Sequence, residues 1–195
     1  MRLFIALDID DQISQRIGRF LEGVSGFSPD ARWVRLESLH ITLKFIGEKP
    51  PEIIPSLQEA LEKVTVSPFD LTFADTGFFP TAKSPRVFWI GIEAPPELQK
   101  LAAAIDDATA QFGIPKEDRA FSPHLTLARK SGGSGSPRRL KEDGPNRAFQ
   151  RLQEKLATMP APEFGTMTAR EFFLFQSQLS RNGSRYTKLH SFRLS

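Results

Sequence analysis

The chain has 195 residues, a formal net charge of +3 and a pI near 9.3, with 39% hydrophobic and 25% charged residues. These values are ordinary for a soluble globular protein, and they permit a polyanionic partner as readily as a merely solvated basic surface. The absence of cysteine excludes disulfides, thiolate zinc sites and a cysteine nucleophile. No apolar run has the length of a signal peptide or membrane span, so we expect a cytoplasmic protein without membrane contact.

The first half of the chain is predicted to contain four strands and two helices. Residues 2–8 have the pattern of a buried strand, and residues 11–24 have helical spacing behind an Asp-rich turn that can cap the helix. Gly47 and the pair Pro50-Pro51 end the strand that contains His40. The remaining predicted elements are strands at 32–35, 40–46 and 69–75 and a helix at 52–64.

The second half begins with a predicted strand at 86–93 and a helix that Pro95-Pro96 opens and Gly113 ends. Residues 131–146 are rich in glycine, serine and charge, which predicts a mobile loop; they lack the glycine-lysine pattern of a phosphate-binding loop. The other predicted elements are a strand at 124–128, a helix at 147–157, and strands at 166–178 and 185–194 joined by an Asn182-Gly183 hairpin.

One tetrad occurs twice, as His-Ile-Thr-Leu at 40–43 and His-Leu-Thr-Leu at 124–127, with a spacing of 84 residues. Both copies lie in predicted strands, where residues i and i+2 share a face. Each strand therefore offers an imidazole and a hydroxyl on the same side. Two such pairs at equivalent positions indicate one site assembled from two halves.

The duplication extends beyond the tetrads. A shift of 84 places Phe4 on Phe88 and Ser38 on Ser122, and a predicted helix follows the first strand of each copy. A repeat of this length that occurs twice is not a solenoid, because stacked arrays need three or more copies. We therefore predict a single pseudo-symmetric, two-lobed domain over residues 1–195.

Two histidines that face one cleft can carry out acid–base catalysis near neutral pH. The hydroxyls of Thr42 and Thr126 suit the non-bridging oxygens of a phosphate, and Arg129 is close enough along the strand to add a guanidinium. A phosphodiester is the group that best fits between them, because in-line displacement places the attacking and departing oxygens on opposite sides of phosphorus.

Each of these residues also has a structural alternative. A lone strand histidine is more often structural than catalytic, and threonine favours strands for packing reasons. A zinc site would need a third ligand, and neither tetrad has a carboxylate two or four residues further on. We therefore expect no metal. The third histidine, His190, has Phe192 rather than threonine at i+2, so we expect it to be structural.

The amino-acid sequence around both tetrads resembles the LigT-like branch of the two-histidine (2H) phosphoesterases. That branch contains the bacterial and archaeal RNA 2′,3′-cyclic phosphodiesterases, also described as RNA 2′-5′ ligases. A single His-x-Thr-x is weak evidence, whereas two at this spacing with these flanks are specific, and the resemblance runs from residue 1 to 195. The matching segments are MRLFIALDI, WVRLESLHITLKFIGE, FSPHLTLAR and SQLSRNGSRYTKLHSFRL.

The resemblance implies an α+β fold of two lobes, each an antiparallel sheet backed by helices, around a cleft lined by both motifs. It implies opening of a terminal 2′,3′-cyclic phosphate to a 2′-phosphate without metal or nucleotide cofactor. His40 would be the proton donor to the departing 3′-oxygen, and His124 the acceptor that activates water. Thr42, Thr126 and Arg129 would hold the phosphate. The reverse reaction, which joins a 2′-5′ bond, would exchange the two histidine roles.

Several classes of substrate agree with the sequence. RNA ends, tRNA halves among them, are the first expectation, with the protein acting as a monomer. Small nucleotides such as ADP-ribose 1″,2″-cyclic phosphate or 2′-5′ oligoadenylate are an alternative, and a non-catalytic RNA-end-binding module is another. Trp33 and Phe45 are candidates for stacking a terminal base, although we expect a core position for both.

Overall fold

A computed structural model describes residues 1–131, 147–180 and 183–195. Within these ranges the chain forms nine strands and four α-helices. In chain order they are β1 Arg2–Asp8, α1 Asp11–Val24, β2 Arg32–Trp33, β3 His40–Glu48, α2 Ile54–Glu62, β4 Phe69–Phe79, β5 Val87–Glu93, α3 Pro96–Ala110, β6 His124–Arg129, α4 Gln150–Ala157, β7 Glu163–Ala169, β8 Glu171–Ser180 and β9 Gly183–Arg193. None of the helices in these ranges is long and apolar enough to cross a membrane.

The strands form two antiparallel sheets, which confirms the predicted α+β class. One sheet has the order β3-β1-β8-β9 and is called here the His40 sheet; the other has the order β2-β6-β5-β4-β7 and is called the His124 sheet. Strands β3 and β6, which carry the two tetrads, lie against each other where the sheets meet. One continuous apolar core runs beneath both sheets.

The helices cross between the halves of the molecule. Helix α1 follows β1 of the His40 sheet but packs on β7 of the His124 sheet, where Phe20 meets Phe164 edge-on at a centroid distance of 5.3 Å. The Arg16 guanidinium donates to the Phe164 carbonyl at 2.9 Å. In the opposite direction, α3 follows β5 of the His124 sheet and packs on β3 of the His40 sheet. Each half therefore supplies a helix that covers the core of the other.

A buried lysine joins α3 to the His40 strand. The Lys44 side chain is only 1% exposed, and its ammonium donates to Asp106 at 2.5 Å and to the Pro115 carbonyl at 2.6 Å. Glu117 lies 3.4 Å from the same nitrogen. Burial of an ammonium is costly unless it is paired and hydrogen-bonded, and these three oxygens meet that requirement.

The start of α1 follows directly from its sequence. Asp10 is extended and its carboxylate accepts a hydrogen bond from the Ile13 backbone at 2.8 Å, so it is the N-cap of the helix. Ile13, Ile17 and Val24 then bury one face at helical spacing. The predicted bounds of β1 and α1 are confirmed.

The predicted strand at 166–178 is wrong as a single element. It consists of parts of two strands in different sheets: β7 pairs with β4 in the His124 sheet, whereas β8 pairs with β1 in the His40 sheet. The break falls at Arg170, where neither glycine nor proline marks a boundary, so the sequence carried no signal for it. The predicted hairpin is supported by antiparallel pairing of β8 with β9 as far as Ser180 and Gly183, and Asn182 itself lies outside the described residues.

Other boundaries differ in detail. The strand predicted at 32–35 is a two-residue bridge, and the helices predicted at 52–64 and 147–157 are shorter at one or both ends. The strand predicted at 69–75 is longer and extends to Phe79. Apart from residue 131, the predicted loop at 131–146 lies outside the described residues.

The register of the repeat requires a correction. In the sheets Thr42 lies opposite Ala6 and Thr126 lies opposite Trp89, so the first strands of the two copies correspond at a shift of 83 rather than 84. The predicted equivalence of Phe4 and Phe88 is therefore wrong. Phe4 lies on the cleft face against His40, whereas Phe88 lies in the shared core, because a slip of one residue moves a side chain to the opposite face of a sheet.

Candidate active site

Both tetrad strands contain a β-bulge at the same place. In β3 the pairing passes from Thr42 to Lys44 and leaves Leu43 without a partner, and in β6 it passes from Thr126 to Ala128 and leaves Leu127 without one. The extra residue changes which side chains share a face. As a result the cleft face carries the histidine, the threonine two residues later, and the side chain five residues later.

The residue at that fifth position differs between the halves. It is Phe45 in the His40 strand and Arg129 in the His124 strand. The bulge thus gives one half an aromatic ring and the other half a guanidinium at equivalent positions of the cleft.

Both imidazoles are fixed by the same hydrogen bond. Nδ1 of His40 lies 2.7 Å from the Ser38 carbonyl, and Nδ1 of His124 lies 2.9 Å from the Ser122 carbonyl. Because a carbonyl oxygen can only accept, Nδ1 carries the proton in each ring. In the neutral form Nε2 then has the lone pair, so each ring can take a proton there or, when charged, give one.

His40 is half-buried among aromatic rings. Its centroid lies 4.9 Å from that of Phe4 and 5.1 Å from that of Tyr186, which meets it edge-on. Ala6, which pairs with Thr42, belongs to the same small apolar cluster as Phe4. Burial lowers the pKa of His40 from its ordinary value, and the charges of Arg129 and then His124 lower it further, while the Ser38 hydrogen bond and Asp8 act in the opposite direction.

These electrostatic effects cross the boundary between the sheets. His40 belongs to one sheet, and Arg129 and His124 belong to the other. Because the charges of Arg129 and His124 act on the pKa of His40, the three side chains lie close together across this boundary. His124 itself is exposed, and the floor beside it is formed by Trp89. The Trp89 indole lies flat across Gly77, where a Cβ would overlap it.

Arg129 is open to solvent over more than a third of its surface, yet its guanidinium is partly surrounded by protein. This partial desolvation lowers its pKa, Tyr186 of the other sheet raises it, and Arg32 of the paired strand lowers it. A guanidinium starts from so high a pKa that it remains charged.

The structure therefore brings five of the predicted residues to one cleft. They are His40, Thr42, His124, Thr126 and Arg129. Among the residues that the structure describes, no three His, Asp or Glu side chains are grouped so as to hold a metal ion.

The two aromatic candidates differ. Phe45 is 58% exposed on the cleft face, 6.3 Å from Phe4, which corrects the expectation of a core position. Trp33 does pack against the core: it meets Phe88 edge-on, and its indole nitrogen donates to the Ser28 carbonyl at 2.9 Å. Phe45 is thus the aromatic side chain that presents its ring to the cleft. His190 lies away from it and pairs with Glu62 of α2 at 3.5 Å, as expected of a structural residue.

Sequence reasoning missed a cavity that adjoins the site. An open cavity of about 400 Å³ lies beside His40. It is lined by Asp8, Glu37, Arg185, Tyr186 and Lys188, among others. A signal was available for Tyr186, the one tyrosine of the chain, whose segment belongs to the family resemblance. Asp8 also lies in a segment of the resemblance, but an aspartate at the end of a strand is equally typical of a helix cap.

Comparisons with known proteins agree with this geometry. A model of the 2′-5′ RNA ligase superfamily matches residues 9–162. The RNA 2′,3′-cyclic phosphodiesterase of Archaeoglobus fulgidus is 35% identical over 192 residues, which cover 98% of this chain and 99% of that protein. The Escherichia coli K12 protein of the same name is 30% identical, with 99% and 96% covered.

A solved structure shows the same fold. The crystal structure of E. coli LigT complexed with 3′-AMP has a TM-score of 0.77 and 29% identity, and covers 100% of this chain and 98% of that one. The match spans the whole chain and therefore both sheets, so the resemblance predicted from the paired His-x-Thr motifs is confirmed. The chain belongs to the 2′-5′ RNA ligase superfamily, within the 2H phosphoesterases.

Proposed function

We propose that the protein is a metal-independent RNA 2′,3′-cyclic phosphodiesterase that opens a terminal 2′,3′-cyclic phosphate to a 2′-phosphate. The observation that carries the proposal is the matched pair of bulged strands, each with an imidazole held through Nδ1 by a serine carbonyl. The relatives that cover nearly the whole chain carry this activity in their names, and the bound 3′-AMP in the LigT crystal is a nucleotide with a 3′-phosphate.

In this mechanism His124 acts as the base. Its neutral Nε2 takes a proton from water, which attacks phosphorus opposite the 3′-oxygen. The bond from phosphorus to the 3′-oxygen breaks, and His40, as imidazolium, gives its Nε2 proton to that oxygen. The product carries a 2′-phosphate and a 3′-hydroxyl, and the proton balance is closed because one histidine gains the proton that the other loses.

The phosphate is held between the two strands. The hydroxyls of Thr42 and Thr126 donate to non-bridging oxygens, and the Arg129 guanidinium stabilises the charge that develops on them. The exposed ring of Phe45 stacks on the terminal base.

The environment of His40 has a consequence for its role as the acid. In the unliganded protein burial and the nearby Arg129 guanidinium favour its neutral form. A bound phosphodiester anion opposes both effects and stabilises the imidazolium, so the acid becomes charged when the substrate is in place.

Formation and cleavage of a 2′-5′ bond use the same site. When a 5′-hydroxyl replaces water, His124 takes its proton, His40 protonates the departing 3′-oxygen, and a 2′-5′ bond forms; in the reverse direction, cleavage of that bond back to the cyclic phosphate, the two histidines exchange roles. We include RNA ends such as tRNA halves among the substrates, and propose that the protein acts as a cytoplasmic monomer.

The activity can be tested with adenosine 2′,3′-cyclic phosphate and short RNAs that end in a cyclic phosphate, in the presence of excess chelator. We expect hydrolysis to 2′-phosphates with a bell-shaped pH dependence. Absence of product from every cyclic phosphate would leave only an RNA-end-binding role. Product from ADP-ribose 1″,2″-cyclic phosphate alone would favour the small-nucleotide alternative.

The two roles can be separated with a substrate in which sulfur replaces the departing 3′-oxygen. A thiolate leaves without protonation, so this substrate should restore most of the rate of His40→Gln and little of the rate of His124→Gln. The opposite pattern of rescue would exchange the roles of the two histidines.

A further inference from the structure

The mechanism above assigns no group of the substrate to the cavity beside His40, which His40 itself helps to line. It is called here the β9 pocket, because four of its lining residues, Arg185 to Lys188, are consecutive in β9. The opposite wall is the turn at 37–39 that leads into His40. Its volume of about 400 Å³ lies in the range of small-molecule sites.

The charges of the β9 pocket are balanced. Two carboxylates, Asp8 and Glu37, face two cations, Arg185 and Lys188, and Asp8 pairs directly with Lys188. A site for a further phosphate would present cations without carboxylates, because the carboxylates repel an anion. A mixture of donors and acceptors instead matches the uncharged edge of a base and the hydroxyls of a ribose.

The pocket also has an aromatic wall. Phe175 stacks on Phe4 at 5.0 Å, and Tyr186 meets Phe4 edge-on at the same distance, which fixes both rings from below. Both line the pocket. Rigid aromatic walls with polar groups at the rim are the usual surroundings of a nucleobase in single-stranded RNA.

The β9 pocket and Phe45 are separate surfaces. Phe45 stands on β3 and is not among the residues that line the pocket, whereas Tyr186 of β9 lines it and meets the His40 imidazole edge-on. One base cannot occupy both places. The catalytic histidine is thus flanked by two separate surfaces suited to a nucleoside.

We propose that the β9 pocket binds the nucleoside that precedes the terminal one, so that the protein grips RNA ends over at least two nucleotides. The inference rests on the proposed function, which places the terminal base on Phe45. It distinguishes RNA ends from small cyclic nucleotides, because a mononucleotide leaves the pocket empty.

The test compares adenosine 2′,3′-cyclic phosphate with the dinucleotide that carries one further adenosine on its 5′ side. A bound base adds at least about a fivefold gain in kcat/KM for the dinucleotide. Glu37→Gln and Arg185→Gln, both at exposed positions of the pocket, should each remove about threefold or more of this gain and leave mononucleotide hydrolysis unchanged. Arg151→Gln, exposed on α4, is the matched control.

Equal kcat/KM for the two lengths would overturn the proposal while leaving the phosphodiesterase assignment intact. An equal loss on both substrates in the pocket variants would overturn it as well. If neither substrate is hydrolysed, the proposed function fails, and the pocket is judged by calorimetric affinity for the two 2′-phosphate products. If the dinucleotide product binds more tightly than the mononucleotide product, and Arg185→Gln removes this difference in affinity, the result supports a nucleoside site in the β9 pocket. Equal affinities for the two products refute it.

Discussion

The two halves of the cleft share a backbone and differ in their side chains. Each has a strand with histidine, threonine and a bulge, and each histidine is held by a serine carbonyl. At the next equivalent position one half has Phe45 and the other has Arg129, and on the floor one has Ala6 and the other Trp89. In the proposed mechanism the common backbone places the reacting groups, and the differences between the halves determine which end of a nucleotide each half contacts.

The two histidines also differ in their surroundings. His40 lies among Phe4 and Tyr186 and has a lowered pKa, whereas His124 is exposed at the end of β6. Unlike environments treat the proton of the two imidazoles differently. In the proposed mechanism the bound substrate completes the division of roles, because it presents water to one ring and the departing 3′-oxygen to the other.

The largest effect is expected from removal of either imidazole. His40→Gln and His124→Gln should each lower kcat by about 10²- to 10⁴-fold, because each removes one partner of the acid–base pair. The double variant should be little worse than either single one, since the two act as a unit. His190→Gln, in a histidine remote from the cleft, is the control for rates measured on a cyclic phosphate. A single variant that keeps a tenth of the rate would contradict the shared role.

The next effect concerns how the halves are joined. Lys44→Met should lower the free energy of unfolding by about 2–3 kcal/mol, because Asp106 and the Pro115 carbonyl lose a buried cation. This loss of free energy is at the low end of the range for a broken buried ion pair, because the Asp106 side chain is 17% exposed. Chemical denaturation measures the change. Lys116→Met, which breaks an exposed pair with Asp107, should have little effect. Equal losses of unfolding free energy in Lys44→Met and Lys116→Met would show that burial of the ion pair does not determine the size of the loss.

A smaller effect on kcat/KM distinguishes Arg129 from Phe45, which lie five residues after His124 and His40. Arg129→Gln should lower kcat/KM about 10- to 100-fold on every cyclic phosphate, because a hydrogen bond from a charged group to phosphate is lost. Phe45→Leu should lower it about fivefold or more on nucleotides and leave a cyclic ribose phosphate without a base unaffected. Steady-state rates on the two kinds of substrate make the comparison. If Phe45→Leu slows the baseless substrate equally, the ring does not act through the base.

The smallest effect is a shift of titration. In NMR the His40 ring should titrate below the ordinary value of about 6.5, because burial and the charges of Arg129 and His124 disfavour its proton. Arg129→Gln removes one of those cations and should raise the pKa, and inorganic phosphate should raise it in the wild type. A pKa of His40 at or above the ordinary value in the free protein would contradict the desolvation argument.

Much of the architecture followed from local patterns. The first strand and helix have correct bounds because apolar alternation, helical spacing and the Asp10 cap all agree there. The strand predicted at 166–178 failed because both β7 and β8 are good strands, and only pairing with distant partners decides that they separate at Arg170. Pairing between strands that are distant in the chain is not encoded within a short stretch of the sequence.

The placement of the candidate site residues was predicted to a similar extent. The repeated tetrads predicted that both histidines and both threonines share one face of each motif strand, and the spacing of 84 holds for these strands. It does not hold for β1 and β5, since the match of Phe4 with Phe88 ignored a slip of one residue. The bulges that turn Phe45 and Arg129 into the cleft, and the wall from β9, depend on tertiary pairing and could not be read from spacing alone.

The crossed helices have a consequence for how the enzyme works. Because α1 covers the core of the opposite half and α3 does the same in return, the halves are interlocked in the manner of a domain-swapped pair within one chain. Rotation of one half against the other would strip both helices from the surfaces they cover. The crossed helices therefore hold the strand of His40 and the strand of His124 in a fixed relation within one fold.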